Sequence, residues 1–186
     1  MIKNTGTLYN GLKSRLSGEG VQKSSRLISD IYDIFEKGHL LTEAELKQTA
    51  YEVEIHDVAD EAEGGLLFGI SHLSPGKVGD EYFMTKGHFH EIKNRAEYYW
   101  GLKGEGLLLL MDQERNSWAE KVKPGSLHYI PGFIAHRLIN TGGEVLSVGA
   151  CWPSDAGHDY KTIQESGFSA RVIEKDGVPA LVDVSR

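Results

Sequence analysis

The sequence predicts an all-β domain, an antiparallel sandwich or barrel, preceded by an N-terminal arm that contains helices. From Tyr51 onward the chain consists of short apolar or aromatic runs, such as "LLFGISHL", "AEYYWGL" and "GEGLLLLMD". Turns with proline and glycine, such as Pro124-Gly125 and Pro131-Gly132, divide these runs. Many short strands at this spacing are typical of antiparallel sandwiches and barrels.

The predicted helices lie in the arm. In residues 24–38, "SSRLISDIYDIFEKG", apolar side chains recur at the i, i+3, i+4 and i+7 spacing of an amphipathic helix. A serine can cap the start of this helix, and Gly38 fits just past its end. Thr42 and Glu45 then form a capping-box pattern, which predicts a short second helix.

The strand pattern begins with "YEVEIHDV", residues 51–58, where apolar and polar side chains alternate. Near the end of the chain, "VIEKDGVPALVDV" predicts a hairpin around Asp176-Gly177. We therefore expect one domain over residues 1–186. Its predicted parts are an N-terminal arm with helices (1–50), a barrel (51–160) and a C-terminal hairpin or tail (161–186).

Composition and charge limit the classes of function. The chain has 186 residues, 40% of them hydrophobic, which suits a packed core. Its net charge of −7 argues against general nucleic-acid binding, but leaves room for a locally basic site and an anionic substrate. The longest apolar run, residues 106–111, is too short to span a membrane. With a single cysteine, Cys151, and no apolar leader, we expect a cytoplasmic protein without a signal peptide.

Four side chains form a candidate metal site. His88 and His90 share one face if their segment is extended, because strand side chains alternate between faces. Glu97 opens a neighbouring strand, and His136 starts another strand after a Pro-Gly turn. Three imidazoles and a carboxylate suit a divalent ion such as Fe, Mn, Ni or Zn. The absence of thiolate ligands argues against a structural zinc site.

A His-x-His pair alone also fits two surface histidines on one strand face. The addition of Glu97 and His136, in an all-β context, favours the metal site. The other histidines outside the "GHDY" segment are expected to be surface residues or hydrogen-bonded core residues. They are His39, His56, His72 and His128.

The spacing of these residues resembles the paired cupin motifs. The first motif runs from His88 and His90 through Glu97 to Gly104, and the second contains Gly125, Pro131, His136 and Asn140. Six residues separate His90 from Glu97, whereas cupins typically have three or four there. The longer stretch "TKGHFHEIKNRAEYYWGLKGEG", with "YIPGFIAHRLINTG" and "PSDAGHDY", resembles the cupin-type glucose-6-phosphate isomerase family.

That resemblance implies a cupin jelly-roll barrel that interconverts glucose 6-phosphate and fructose 6-phosphate in glycolysis and gluconeogenesis. It implies one divalent ion per subunit, Fe²⁺ first and Mn²⁺, Ni²⁺ or Zn²⁺ as alternatives, and a homodimer. The implied ligands are His88, His90, Glu97 and His136.

The resemblance also implies catalytic and substrate-binding residues. Glu97, His158 and Tyr160 are the expected catalytic residues, with Glu97 as ligand, as base or as both. The expected substrate and phosphate contacts are hydroxyls, a glycine amide, a lysine and a tyrosine: Ser71, Thr85, Lys86, Gly87 and Tyr99. Lys93 and Arg95 are expected to add nearby positive charge. Proton transfer through an enediol and a direct hydride shift both stay open.

Two other functions fit the same ligands. One is an iron-dependent cupin dioxygenase, and the other is a sugar-binding cupin without catalysis. A lining of hydroxyls and bases around Ser71, Thr85 and Lys86 would favour a phosphosugar, whereas an apolar lining would favour a dioxygenase substrate.

Overall fold

The computed structural model describes residues 1–3, 6–59 and 63–184. Its strands are Thr7–Asn10 (β1), Arg15–Gly18 (β2), Val21–Leu27 (β3), Thr49–His56 (β4), Leu66–Leu73 (β5), Lys77–Val78 (β6), Glu81–Tyr82 (β7), Glu97–Lys103 (β8), Gly106–Met111 (β9), Ser117–Val122 (β10), Leu127–Ile130 (β11), Ala135–Asn140 (β12), Leu146–Pro153 (β13), Ala170–Lys175 (β14) and Val178–Asp183 (β15). The α-helices are Glu43–Leu46 (α1) and Tyr160–Ser166 (α2).

Two antiparallel sheets face each other around the core. One has the strand order β11-β8-β13-β5-β4-β3, and the other has the order β10-β9-β12. Leu73 and Val148 of the first sheet share a buried cluster with Leu108, Leu110 and Leu138 of the second. The predicted all-β jelly roll of the cupin class is confirmed, although the sheets pack on each other without closing into a continuous barrel.

The second sheet is covered on its other face as well. A further sheet has the order β15-β14-β7-β6 and, like β9, contributes to the core cluster. Leu108, Leu109, Leu110 and Met111 are therefore all buried. This explains the continuous apolar run of β9, because a strand that is covered on both faces has no reason to alternate.

The continuous helix predicted over residues 24–38 is not present. Val21–Leu27 is a strand that pairs with β4, and single-turn 3-10 helices follow over Ile28–Asp30, Tyr32–Ile34 and Gly38–Leu40. The i, i+3 spacing of the apolar residues also fits 3-10 turns, which have three residues per turn. Pairing with β4 satisfies the backbone of β3, so long-range contacts override the local pattern.

Other local predictions are confirmed. Thr42 caps α1, and its amide donates to the Glu45 carboxylate at 2.8 Å. Asp176 and Gly177 both have positive φ angles in the turn between β14 and β15, as a two-residue hairpin of type I′ requires. α2 was not predicted. The domain bounds 1–50, 51–160 and 161–186 stay a prediction, and β3 pairs with β4 across the first of these boundaries.

No helix in the described ranges combines the length and the apolar character needed to cross a lipid bilayer.

Asn140 connects three chain segments beneath the site. Its side-chain amide donates to the carbonyls of Leu73 at 2.9 Å and Glu144 at 2.8 Å. Its side-chain oxygen accepts from the Gly142 amide at 3.0 Å. Asn140 is completely buried, so these backbone groups depend on it for their hydrogen bonds.

We therefore expect Asn140→Ala to lower the free energy of unfolding by roughly 2–4 kcal/mol, because it leaves buried backbone groups unpaired. Chemical denaturation measures this change. Asn116→Ala is the control, since Asn116 is exposed and its amide bonds only to Asp112. An equal, small loss in both variants would contradict the role of Asn140.

Candidate metal centre and active site

His88 and His136 are joined through their backbones. The His88 amide donates to the His136 carbonyl at 3.2 Å, and the His136 amide donates to the His88 carbonyl at 3.0 Å. This isolated bridge connects the His-x-His segment to β12. The centres of the two imidazole rings lie 4.4 Å apart. A residue before β8 and a residue of β12 are thus fixed side by side.

His90 and Glu97 complete the cluster. His90 lies two residues beyond His88, and Glu97 is the first residue of β8 in the six-stranded sheet. One ligand atom from each of His88, His90, Glu97 and His136 lies within 4.8 Å of the others. Glu97 is 4% exposed and His136 is 1% exposed. The predicted ligands therefore converge from both sheets at one buried point.

Backbone carbonyls orient two of the imidazoles. The Nδ1 atom of His90 lies 2.8 Å from the Arg95 carbonyl, and the Nδ1 atom of His136 lies 3.3 Å from the Ile134 carbonyl. A carbonyl only accepts hydrogen bonds, so each Nδ1 carries the proton and each Nε2 presents a lone pair to the cluster. Metal-binding histidines are commonly held in this way.

The carboxylate and imidazoles fit a cation. Glu97 Oε1 lies 2.5 Å from His136 Nε2, yet neither atom has a hydrogen-bond partner among the described residues. A carboxylate oxygen and an imidazole lone pair both serve as ligands of a cation. Burial raises the pKa of Glu97, but the charges of His136 and His90 in their protonated forms outweigh it and lower the pKa to about 2 when no metal is bound. The site therefore offers an ionised carboxylate and imidazole nitrogens, a donor set for first-row divalent metals.

A cavity of about 370 Å³ opens in front of this cluster. Of the predicted site residues, ten line it and only His90 does not. The ten are Ser71, Thr85, Lys86, Gly87, His88, Glu97, Tyr99, His136, His158 and Tyr160. The predicted residues therefore make up ten of the nineteen described residues that line the cavity.

Hydroxyl and amide groups lie at a short distance from the metal ligands. Thr85 Oγ1 accepts from the Leu138 amide at 3.0 Å, and Leu138 lies two residues beyond His136 on β12. Two residues of a strand span roughly 7 Å. Gly87 has a φ angle of +75°, and a Cβ atom there would lie 2.9 Å from the Arg137 guanidinium. Only glycine suits this position, which leaves the loop backbone open toward the cavity.

His158 and Tyr160 stand beside the ligands. Phe89 and Asp159 exchange backbone hydrogen bonds of 3.4 and 2.8 Å, which brings this segment next to His88. The rings of His158 and Tyr160 stack with centres 5.5 Å apart, and the His158 ring lies 4.4 Å from that of His88. Tyr160 is the first residue of α2. Burial is the main cause that lowers the pKa of His158.

Two expected cations lie elsewhere. Arg95 forms a bidentate pair with Asp155, with distances of 2.9 and 2.6 Å. Lys93 lies over the Phe89 ring, 5.4 Å from its centre. Neither residue lines the cavity, and the charge of Arg95 is balanced by Asp155. Their positions depend on the course of the loop, which spacing does not reveal.

Other cavity residues had no assigned role. Ser24, Arg26 and Tyr51 line the wall formed by β3 and β4, and Trp152 of β13 lines it as well. The helical spacing of residues 24–38 hid the first two, because a strand and not a helix forms there. Strand alternation was the signal that could have revealed them, because Ser24 and Arg26 face one side of β3 and their neighbours face the other.

The histidines without an assigned role behave as expected where they are buried. His72 Nδ1 lies 2.9 Å from the Ser147 hydroxyl, and His128 contacts Glu120 at 2.6 Å and Ser126 at 2.9 Å. None of these residues lines the cavity.

The sequence matches a known family and its members. The family model described as Glucose-6-phosphate isomerase matches residues 22–182. The glucose-6-phosphate isomerase of Thermococcus kodakarensis is 43% identical over 172 residues, which cover 90% of this chain and 88% of that protein. The one of Pyrococcus furiosus is 43% identical over 169 residues, covering 90% and 89%. A putative glucose-6-phosphate isomerase of Rhizobium meliloti is 37% identical over 134 residues, covering 69% and 63%.

Similarity to solved structures is more remote. Oxalate decarboxylase from Bacillus subtilis gives a TM-score of 0.45 at 17% identity, covering 59% of this chain and 26% of that chain. A structure of oxalate oxidase gives a TM-score of 0.46 at 13% identity, covering 79% and 58%. These similarities are too weak to bear on the chemistry of the site.

The ligand geometry makes a prediction about metal content. We expect His136→Ala to bind little metal after dialysis against Mn²⁺, because it removes the most deeply buried ligand of the cluster. We also expect Mn²⁺ to raise the melting temperature of the wild type but not of this variant, since a ligand that binds only the folded state stabilises it.

Elemental analysis and thermal unfolding measure both effects, and circular dichroism checks the fold. His39→Ala is the matched control, because His39 is exposed and lies outside the cluster. Wild-type metal content in His136→Ala would refute the ligand assignment.

Proposed function

This chain belongs to the glucose-6-phosphate isomerase family, and on that premise we propose that it interconverts glucose 6-phosphate and fructose 6-phosphate with the help of a bound metal ion. One observation supports the proposal most strongly. The four converging ligand atoms lie at a cavity whose other lining includes serine and threonine hydroxyls and two cationic side chains. This lining is the one expected for a phosphosugar.

His88, His90, Glu97 and His136 would hold the metal. The nitrogen and oxygen donors favour Fe²⁺, with Mn²⁺, Ni²⁺ and Zn²⁺ as alternatives. Four protein ligands leave about two positions of an octahedral ion for substrate or water. When bound, the ion supplies a Lewis acid that stabilises negative charge on the carbonyl oxygen of the open-chain sugar.

Glu97 is assigned the proton transfer between C2 and C1. It is ionised and buried, so it can accept a proton without competition from bulk water. A neighbouring cation makes it a weaker base, which a hydride shift would avoid. Starting from C2-deuterated glucose 6-phosphate, release of the label to solvent identifies proton transfer through an enediol and excludes the hydride shift.

Tyr99, His158 and Tyr160 are assigned to the sugar. Burial raises the pKa of Tyr99 well above its ordinary value, so its hydroxyl stays a hydrogen-bond donor. The lowered pKa of His158 keeps its imidazole neutral near pH 7, able to accept one proton and donate another. These properties suit ring opening, which moves a proton between the ring oxygen and the C1 hydroxyl.

The phosphate is assigned to Ser71, Thr85, Lys86 and Gly87. Ser71 comes from β5, and the other three come from the segment before His88, so the two walls of the cavity both contribute. Lys86 Nζ lies 5.3 Å from the centre of the Tyr160 ring, at the cavity wall. Leu138, whose amide binds Thr85, and the proposed metal ligand His136 lie roughly 7 Å apart along β12. A sugar phosphate can span this distance between the phosphate residues and the metal ligands.

A homodimer is proposed from an exposed apolar face. The outer side of β8 and β11 carries large side chains in direct cross-strand pairs, with Trp100 opposite Leu127 and Tyr98 opposite Tyr129. All four are exposed. Contiguous apolar patches of this kind typically mark interaction surfaces. An isologous interface with a second copy would bury them.

We place the protein in the cytoplasm, where its substrate would be an intermediate of glycolysis and gluconeogenesis. The single cysteine, Cys151, supports a reducing compartment. Burial raises the pKa of its thiol, so Cys151 is a poor nucleophile and plays no part in the reaction.

The decisive assay is the conversion of fructose 6-phosphate to glucose 6-phosphate by the purified full chain. We expect activity to fall to background after EDTA and to return with Fe²⁺, Mn²⁺, Ni²⁺ or Zn²⁺, because these ions accept imidazole ligands. Mg²⁺ is the control ion, since it prefers oxygen ligands and should restore little. No turnover with any of these metals overturns the isomerase, and oxygen consumption would then test for a dioxygenase.

Removing the apolar face should dissociate the dimer. We expect Trp100→Glu to halve the molar mass measured by light scattering, because a charge in a buried interface is costly. Trp118→Glu is the matched control: Trp100 is 43% exposed and Trp118 is 37% exposed, but Trp118 lies on β10 in the other sheet. A wild type that is itself monomeric would contradict the proposal.

A further inference from the structure

The cavity wall formed by β3 carries an arginine that the proposed function has not used. We propose that Arg26 binds the phosphate group of the substrate and is a main determinant of selectivity for a phosphorylated sugar. The inference rests on the proposed function, since it assigns a further residue of the same site. Ser24 and Arg26 both line the cavity from this strand.

Strand register places Arg26 near the expected phosphate partners. β3 is the edge strand of the six-stranded sheet, with Arg26 opposite Tyr51 and Ser24 opposite Val53. Val53 is in turn opposite Ser71 of β5. Ser24, Val53 and Ser71 therefore lie side by side across three strands, and Ser71 is a proposed phosphate residue. Arg26 lies two residues further along β3 and pairs with Tyr51 in the next such row.

An irregularity in the strand lies at Arg26. The pairing register shifts between Arg26 and Leu27, so that Leu27 pairs with Thr49 while Arg26 pairs with Tyr51. Such bulges reorient a side chain and are common beside active sites. Here the bulge ends the strand just after the cationic residue that faces the cavity.

Tyr51 links Arg26 to the opposite wall. Burial raises the pKa of Tyr51 to about 12, whereas a hydrogen bond with the Lys86 backbone and the charges of Arg26 and Arg137 act against this rise. Tyr51 lies directly opposite Arg26 in the strand pairing, and its hydroxyl bonds to the backbone of the segment that contains Lys86 and Gly87. A phosphate near this segment would lie within reach of Arg26.

The guanidinium of Arg26 is free to bind a ligand. Among the described residues, other arginines have strong partners: Arg15, Arg95 and Arg171 pair with carboxylates, and Arg115 and Arg137 bind backbone carbonyls. Arg26 donates only to the adjacent Ser25 carbonyl, at 2.9 Å, and it forms no ion pair within the described chain. Of the arginines that the structure describes, it alone lines the cavity.

The charge of the cavity fits a dianion at this end. Among the described residues of the lining, Glu97 is the only carboxylate, and it belongs to the candidate metal cluster. Arg26 and Lys86 are the arginine and lysine side chains of this described lining. A planar guanidinium binds two phosphate oxygens at once, which an ammonium group does not. At the exposed rim, Arg26 would also attract the anion into the cavity of this acidic protein.

The test compares Arg26→Gln and Arg26→Lys with Lys121→Gln. The control removes the same charge from an exposed position on β10, far from the cavity lining. We expect Arg26→Gln to raise KM for fructose 6-phosphate roughly tenfold or more, as for the loss of a charge-assisted hydrogen bond, with a smaller change in kcat. Arg26→Lys should recover part of this loss, and Lys121→Gln should match the wild type.

A second measurement needs no turnover. Inorganic phosphate is titrated into the metal-loaded wild type and variants by calorimetry, and Arg26→Gln should bind it about tenfold more weakly. Unchanged KM and unchanged phosphate affinity in this variant overturn the inference while the isomerase stands. A wild type that binds phosphate through Arg26 but does not turn over fructose 6-phosphate refutes the proposed function instead.

Discussion

The structure depends on one buried electrostatic constraint, the carboxylate of Glu97 held against imidazole nitrogens in the interior. A charge at this depth is costly unless it is compensated. His136 Nε2 lies 2.5 Å from the carboxylate without forming a hydrogen bond, and backbone carbonyls fix the proton of His90 and His136 on Nδ1. A divalent cation held by these atoms would balance the charge of the carboxylate and use both atoms as ligands.

The packed strands of the fold hold the side chains of this cluster in position. Glu97 begins a strand of one sheet and His136 lies in a strand of the other, so core packing between the sheets sets their separation. The backbone bridge between His88 and His136 fixes the third ligand directly. The bridge between Phe89 and Asp159 extends the arrangement to His158 and Tyr160. Strand packing and these two isolated bridges therefore bring the side chains of the candidate site together.

Sequence patterns predicted the site better than the arm. Strand alternation and motif spacing are local properties of a sequence, so they were sufficient to predict His88, His90, Glu97 and His136. Arg26 was not, because the i, i+3 spacing around it suits a helix and 3-10 turns equally, and its place in a strand depends on pairing with a segment more than twenty residues away. The ion pair of Arg95 could not be predicted for a related reason. Its bidentate partner Asp155 is 60 residues distant in sequence, and only the fold brings the two together.

The central claim is that these four side chains bind a single metal ion at the base of the cavity. Anomalous diffraction from crystals of the full chain grown with Mn²⁺, recorded at the manganese edge, tests it most directly. The account predicts one strong peak per chain, within bonding distance of the three histidines' ring nitrogens and of a Glu97 oxygen. A chain without a peak there, or with its peak at other residues, would contradict the account.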